Sequence, residues 1–435
     1  MGDDAVSVRI RFHGEALSQA LPDAPLAVPV SLRPSGLSEV VCHLLGLSDA
    51  LTKRRFRFIL RASKRLLEAD LASALESGQI DVERIVDLDV LPELPKPEER
   101  ACRRQPDWVA VVRRVGANGA FMSGTYDGLL RVHRGETAGR MASLRAHQDA
   151  VKSMSVVQMG EGFLVATGGQ DKGVKISEVV LDGANGAEVQ LIARGRDGAH
   201  ENSIESCSFT RMPGAAEPFL ATGDWDGALS LWSVRPASTG ENGSEAAISK
   251  KRRRDKGGSS IDEVELLEPL RSWKAHAQCV SGMAWDGGHL YTASYDHSLK
   301  AWDLERGDVV ATVNTSRVAT EICCLSRHIE GEDGTVEAAL SNSIGMACAD
   351  GRIRIWDMRA GSAQRGTDAE PKGVSSFLSA TLRFHTQWCS SLSKAPGASY
   401  SLASSCHGGR VAIWDVRALA APVHSFRGSQ DKVLS

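Results

Sequence analysis

Two stretches of this sequence set out a histidine and, downstream, a hydroxyl, a carboxylate and an indole at the same spacing: His200, Thr222, Asp226, Trp232, and then His276, Thr292, Asp296, Trp302. An imidazole that can reach both a hydroxyl and a carboxylate is the arrangement of a nucleophilic triad. Histidine and aspartate are also ligands for a divalent metal. Recurrence argues against both uses. A catalyst needs one such set, and here partial copies return along the chain. A buried Asp at a tight turn needs donors, which imidazole N–H and hydroxyl O–H groups supply, so the repeated sets read as architecture.

Two other groups of residues invite a chemical reading. Residues 76–93 carry Glu76, Asp81, Glu83, Asp87, Asp89 and Glu93 against Arg84 alone, an acidic edge of the kind steered towards a metal and a basic surround. Asp87 and Asp89 alternate with apolar residues and should face solvent from a strand, while Asp81 and Glu83 fall in the loop before it. Lys250, Lys251, Arg252, Arg253 and Arg254 form a basic run that suits nuclear import or RNA phosphate contact, with a plain solvated charge run as the alternative. Signatures of enzymes are missing: no GxSxG, P-loop, HExxH or paired CxxC occurs. Cys323 and Cys324, the only adjacent pair among nine cysteines, lie in an apolar run that suits a core.

The elements that must position these groups follow from the wider pattern. At 435 residues the chain is long for one domain, so two or more are expected. With 42% hydrophobic and 24% charged residues it is globular in composition, which excludes a disordered tail or a fibre. A net charge of −3 confines any nucleic-acid contact to a local patch. No signal peptide is expected, since Asp3 and Asp4 follow the first Met without an apolar run. Nor is there an uninterrupted apolar run of the ~18 residues a membrane helix needs. A reducing compartment with free thiols is the corresponding expectation.

From residue 123 onward one unit recurs: SGTYDGLLRVHR (123–134), TGGQDKGVKISE (167–178), TGDWDGALSLWS (222–233), TASYDHSLKAWD (292–303), MACADGRIRIWD (346–357) and SSCHGGRVAIWD (404–415). Each reads as a strand, a tight turn that usually carries Asp, and a second strand with alternating apolar residues. His147, His200, His276 and His385 stand upstream of four of them. These residues resemble the WD-repeat family, whose units are four-stranded blades around an axis. The resemblance covers residues 106–435 and implies that His, Thr, Asp and Trp form a network tying an outer loop to each blade. Unit one has His133 and Arg134 at the Trp-Asp positions, unit two has Ser177 and Glu178, and unit six has Gly408 in place of Asp. Apolar contacts should hold those three blades more than the network does.

Asp226 and Asp296 are 70 residues apart, against about 40–45 for an ordinary repeat. The excess, residues 235–263, is rich in Ser, Gly and Glu and reads as a disordered basic insertion between blades three and four. After Asp415 the sequence offers an outer strand, a loop and the start of another inner strand. Seven blades are therefore expected, the last of them truncated; a six-blade ring with a short tail is the alternative.

Residues 1–93 contain no Trp and none of the repeat. VSVRIRF (6–12), LAVPVSL (26–32), FRFIL (56–60) and IVDLDV (85–90) suit strands. Leu37, Val40, Val41, Leu44 and Leu45 form one face of a helix over 35–46, with Ser35 as N-cap and Gly46 as C′ residue. That order suits an α+β ubiquitin-like β-grasp domain (1–93), joined by a linker (94–105) to an all-β WD-repeat propeller (106–435). VRIRF followed by VSLRPSGLSEVVCHLLG resembles the ubiquitin-like NLE domain that precedes WD repeats in a family of ribosome-assembly proteins. Within it DWVAVV (107–112), SYDHSLKAWDLE (294–305) and DKVLS (431–435) are closest to the WD-repeat subunit of the pescadillo–block-of-proliferation (PeBoW) complex, with the Notchless type as the related alternative.

The resemblance implies a non-catalytic scaffold for the large ribosomal subunit, in the nucleus, nucleolus and nucleoplasm, needed for maturation of precursor ribosomal RNA. Block-of-proliferation and pescadillo proteins would be its partners, on a pre-ribosomal particle, with no membrane. No cofactor and no metal of its own are implied. The N-terminal domain would dock on midasin, an AAA-type ATPase whose metal site takes a partner's carboxylate, and the matching position is Glu83, with Asp81 second. A hard divalent cation with an open position accepts such an oxygen ligand. A substrate receptor of a ubiquitin ligase is the competing function class, although residues 1–93 show no F-box-like helical bundle.

Overall fold

The structure, a computed structural model, describes residues 7–434 apart from 15–20, 48–54, 63–64, 68, 79–84, 94–95, 100, 117–118, 183–185, 212–216, 235–263, 287, 305, 326–342, 359–377, 395–400, 417–418, 420 and 430–431. Strands β1 (Ser7–His13), β2 (Leu26–Pro29), β3 (Phe56–Leu60), β4 (Arg65–Leu66) and β5 (Val86–Pro92) form one mixed sheet in the order β2-β1-β5-β3-β4. The β1–β5 pair is parallel and the other pairs are antiparallel. Helices α1 (Pro34–Leu44) and α2 (Leu71–Gly78) accompany this sheet. This is the α+β β-grasp arrangement.

Alternation in β1 buries Val8, Ile10 and Phe12, which meet Leu37 and Val41 of α1 and Leu88 and Val90 of β5 in a single core. Ser38 ties α1 to the sheet: its Oγ accepts the Phe56 N–H at 3.1 Å. The helix starts earlier than its sequence suggests. Arg33 is the N-cap, without a side-chain cap, and Pro34 opens the first turn in place of Ser35, because a ring-locked φ and a missing N–H suit that position. Gly46 is the C′ residue at φ +68°. Its N–H donates to His43 O, and the Leu47 N–H donates to Cys42 O at 2.8 Å, closing the helix as a Schellman motif.

From Val109 onward the described residues form six antiparallel sheets, here called blades, with strands a to d. Strand a runs Val109–Arg114, Val151–Met159, Ile204–Thr210, Val280–Asp286, Ala319–Cys324 and Cys389–Lys394 in blades one to six. Consecutive a strands lie side by side, and they line a central channel of about 400 Å³. Strand b has neighbours on both faces: in blade two all of Gly162–Gly169 is buried. That is why these strands read as continuous runs of small and apolar residues instead of alternating ones.

Hydroxyls stitch blade to blade. Ser153 Oγ donates to Ile204 O, Ser206 Oγ to Val280 O, Ser281 Oγ to Ala319 O, and Thr320 Oγ1 to Cys389 O. Each acceptor is the first residue of the next a strand. Ser390 Oγ makes the same bond to Val433 O, so Val433 takes the place of the first residue in a seventh a strand.

Blade three is not built from consecutive strands. Its strand c (Ala228–Ser233) is followed in the described chain by Glu265–Leu267, which pairs in parallel with strand d of blade two (Gly186–Gly195). Only then does Arg271–Lys274 return as strand d of blade three. The detour covers an outer edge whose backbone groups would otherwise be unpaired. Residues 235–263, including the basic run Lys250–Arg254, lie outside the described residues.

Candidate functional site

The repeated His–hydroxyl–carboxylate sets assemble inside single blades. In blade four His276 Nδ1 is 3.0 Å from Asp296 Oδ2, and Nε2 is 2.8 Å from Thr292 Oγ1. The Trp302 Nε1–H donates to the same Thr292 oxygen at 2.8 Å. The ionised Asp296 can only accept, so Nδ1 carries the imidazole hydrogen, Nε2 accepts from the Thr292 hydroxyl, and the threonine oxygen in turn accepts from the indole. The Ala277 N–H completes the aspartate's shell. Blade two repeats this with His147, Thr167 and Asp171. Its Trp position is Ser177, whose Oγ is buried without a partner.

Blade three keeps His200, Thr222 and Trp232 but changes the acid. His200 Nδ1 pairs with Asp224 Oδ2 at 3.0 Å, and Asp226, the residue expected from the sequence, is exposed and bound to Asn202. Asp224 is the last residue of strand b and is 1% exposed, so it reaches the imidazole without crossing the turn. In blade six His385 Nε2 meets Ser404 Oγ at 2.8 Å, while Nδ1 has no partner, as Gly408 supplies no carboxylate.

Blades one and five use another device. Arg131, 3% exposed, forks onto Asp127 with an Nη2–Oδ2 distance of 2.5 Å, and Arg354 forks onto Asp350 at 2.7 and 3.0 Å. Blade one therefore departs from the expectation of mainly apolar cohesion: a bidentate guanidinium–carboxylate pair, strong because both donors fit both oxygens, replaces the imidazole. The signal was an Arg four residues after the turn Asp in the two units that lack the upstream His.

Electrostatics match these roles. Burial drives the His276 pKa down to about 4, against the pull of Asp296, and burial with Arg410 nearby drives His385 to about 4. Burial opposes ionisation of Asp171, Asp296 and Asp127, but hydrogen bonds from His147, from Ser298 and Ala277, and from Arg131 respectively hold each near 2. Neither His276 nor His385 is poised as a base near neutrality. Burial also raises the Cys207 and Cys348 thiols to about 11, Cys323 to about 12, and Cys324 well above its ordinary range. Such thiols stay protonated and are poor nucleophiles.

The channel is charged and spanned. Arg113 of blade one reaches Glu321 of blade five at 3.8 Å, and Lys152 reaches Glu205 at 3.8 Å. At one end of the a strands stand large exposed aromatics: Trp108 (62% exposed), Trp225 (48%) and Trp388 (48%). Each has an aromatic or imidazole partner, Trp108 on Tyr126 at 5.8 Å, Trp225 on Tyr295 at 5.9 Å and Trp388 on His407 at 5.8 Å. The backbone bonds of two are equivalent, Tyr126 N–H to Trp108 O and His407 N–H to Trp388 O, whereas Trp225 is itself the donor, to Ser203 O. The repeat alignment did not single these residues out, because it followed only the inward-facing Trp positions.

In the N-terminal domain, Glu83 and Asp81 lie outside the described residues. Asp87 and Asp89 of β5 are described and engaged. His13 Nε2 is 2.7 Å from Asp87 Oδ1, and Arg61 Nε is 3.5 Å from Asp89 Oδ1. As the alternation predicts, they stand opposite the buried Val86, Leu88 and Val90, on the partly exposed face of β5.

Comparison with known proteins adds the following. Residues 8–75 match the NLE (NUC135) domain, and residues 267–303 match the WD domain, G-beta repeat. The chain is 27% identical over 428 residues to the protein named ribosome biogenesis protein WDR12 homolog of Chlamydomonas reinhardtii, covering 95% of this chain and 88% of that one. It is 26% identical over 436 residues to the Nematostella vectensis protein of that name, covering 99% and 94%. For the Oryza sativa subsp. japonica protein the identity is 29% over 445 residues, covering 99% and 92%.

Proposed function

Because this chain belongs to the family that joins an NLE domain to WD repeats in ribosome biogenesis proteins, we propose that it is a non-catalytic scaffold for assembly of the large ribosomal subunit. One observation carries this reading: the similarity runs through both domains in a single alignment, 99% of the chain in two of the relatives. The histidine networks support it by their burial and repetition, since each is spent on holding its own blade. In this reading the propeller binds the block-of-proliferation partner, with pescadillo protein in the same complex on the pre-ribosomal particle, in the nucleus and nucleolus, and the assembly supports maturation of precursor ribosomal RNA. Lys250–Arg254 serves import or RNA phosphate contact.

The N-terminal domain docks on the metal site of midasin through Glu83, with Asp81 the second choice. Asp87 and Asp89 are engaged by His13 and Arg61, Glu76 and Glu93 are exposed, and the choice of Glu83 rests on the family resemblance. A partner's divalent cation with an open position takes one oxygen from it.

Affinity purification of the tagged chain tests the scaffold. Recovery of large-subunit precursors with block-of-proliferation and pescadillo proteins supports it, and recovery of a cullin ligase instead refutes it. For the docking step, Glu83→Ala should fold normally and lose midasin in a pull-down with the isolated metal-site domain; retention reassigns the contact.

A further inference from the structure

Blade three carries a feature its network does not need. In blades two and four the turn aspartates Asp171 and Asp296 face their histidines. In blade three Asp224 does this work, so Asp226 and Trp225 are free to stand at the surface. Trp225 is set edge-on against Tyr295 of the next blade, with 74° between the rings, which orients the indole while leaving it 48% exposed. Beside it opens a cavity of about 410 Å³ lined by Asp149, Lys152, Gln170, Asn202, Glu205 and Trp225. Two carboxylates face one ammonium there. That ammonium is already committed, since Lys152 Nζ lies 3.8 Å from Glu205 and 5.2 Å from the centre of the Tyr126 ring. Asp149 is exposed at its rim, and the exposed Asp226 accepts from the lining Asn202.

We propose that this cavity between blades two and three is a docking site for an arginine side chain presented by a protein partner. A guanidinium stacks on an indole face and forks onto carboxylates, and both surfaces are present within one pocket. Partly exposed tryptophans with polar rims are the residues that dominate binding energy at interfaces. Stacked nucleobases would also use the indole, but the carboxylates repel the phosphates that accompany them. The inference rests on the scaffold reading and specifies the chemistry with which the propeller holds a partner.

The full-length chain is panned against a phage-displayed library of random peptides about 12 residues long, and an enriched peptide is titrated by fluorescence anisotropy. The enriched peptides should share a fixed arginine. Trp225→Ala should weaken binding about tenfold, and Asp149→Asn with Asp226→Asn about fivefold, with unchanged urea midpoints. Replacing the peptide's arginine by neutral citrulline should produce the same loss. Peptides without a cation, or binding indifferent to Trp225→Ala, overturn the proposal, as does an oligouridine RNA that binds in a Trp225-dependent way where no peptide does. The scaffold reading is scored separately: if wild type and Trp225→Ala recover pre-ribosomal particles equally and peptide binding is unaffected, only this inference falls. If wild type recovers none, the scaffold reading falls.

Discussion

Replacing Thr292 with valine keeps the shape of the side chain and deletes the hydroxyl that joins three residues of blade four. Thr292 is fully buried, and it serves both the Trp302 Nε1–H and His276 Nε2, each at 2.8 Å. Valine leaves an indole donor and an imidazole acceptor dry, at about 1–3 kcal/mol each. The extra methyl returns about 0.8 kcal/mol. The expected loss is therefore roughly 1–5 kcal/mol. It should be local, so hydrogen exchange of the peptides covering strands a to c of blade four is the informative assay, with urea unfolding of the whole chain alongside. A double-mutant cycle with Trp302→Phe isolates the shared bond and should show coupling of about 1 kcal/mol or more. Additive single effects, or a Thr292→Val loss below about 0.5 kcal/mol, would refute the claim that this network holds the blade. Blade five already carries part of the defect: Met346 occupies the matching position, and Trp356 Nε1 is buried without a partner.

The remaining predictions concern charge and backbone. His276 and His385 are held near 4 by burial, whereas the unfolded chain takes up those protons near 6.5. Stability is then complete above pH 6.5 and falls as pH drops towards 4, by up to about 3 kcal/mol per histidine, and a flat urea midpoint between pH 7 and 4.5 contradicts this. Asp127, Asp171 and Asp296, held near 2, add a second loss only as pH falls from about 4 to 2. Arg131→Leu leaves the Asp127 carboxylate, 22% exposed, with only the Thr125 hydroxyl and the Leu129 N–H, and should cost about 1–3 kcal/mol in urea unfolding; no change shows the pair to be dispensable. Gly46→Ala and Gly227→Ala separate strain from collision. Both glycines have positive φ, +68° and +89°, but a Cβ at Gly46 meets nothing within 4 Å while one at Gly227 sits 2.4 Å from His276 O. The first should cost about 1 kcal/mol and the second roughly 2–5 kcal/mol, and equal effects would sink the distinction.

Much of the molecule was legible because its patterns are local. The β1 alternation, the helical face from Leu37 to Leu45 and the C′ role of Gly46 follow from periods of 2 and 3.6 and from a backbone conformation that glycine tolerates. Other features were not legible for identifiable reasons. The acid of blade three moved from Asp226 to Asp224 because a buried strand end reached the imidazole directly, and spacing alone does not distinguish two aspartates two residues apart. Arg131 and Arg354 had no assigned role in the repeat, because only the fold buries them against the partly exposed carboxylates of Asp127 and Asp350. The N-cap of α1 fell to Arg33 because Pro34 determined where the first turn could start.

By itself the sequence determined the kinds of element and their repetition: a β-grasp domain, then units of strand, Asp turn and strand, with histidines upstream of four of them. These depend on residue type at short range, where periodicity and turn chemistry act. Only the tertiary structure decided which polar groups share a buried site, because that depends on contacts between strands far apart in the chain. It returned the chain from blade three to the edge of blade two through Glu265–Leu267 and set Val433 in the ladder of inner-strand hydroxyl bonds. It also placed Trp225 with Asp149 and Glu205 around one cavity, where a ligand can reach the exposed indole and carboxylate.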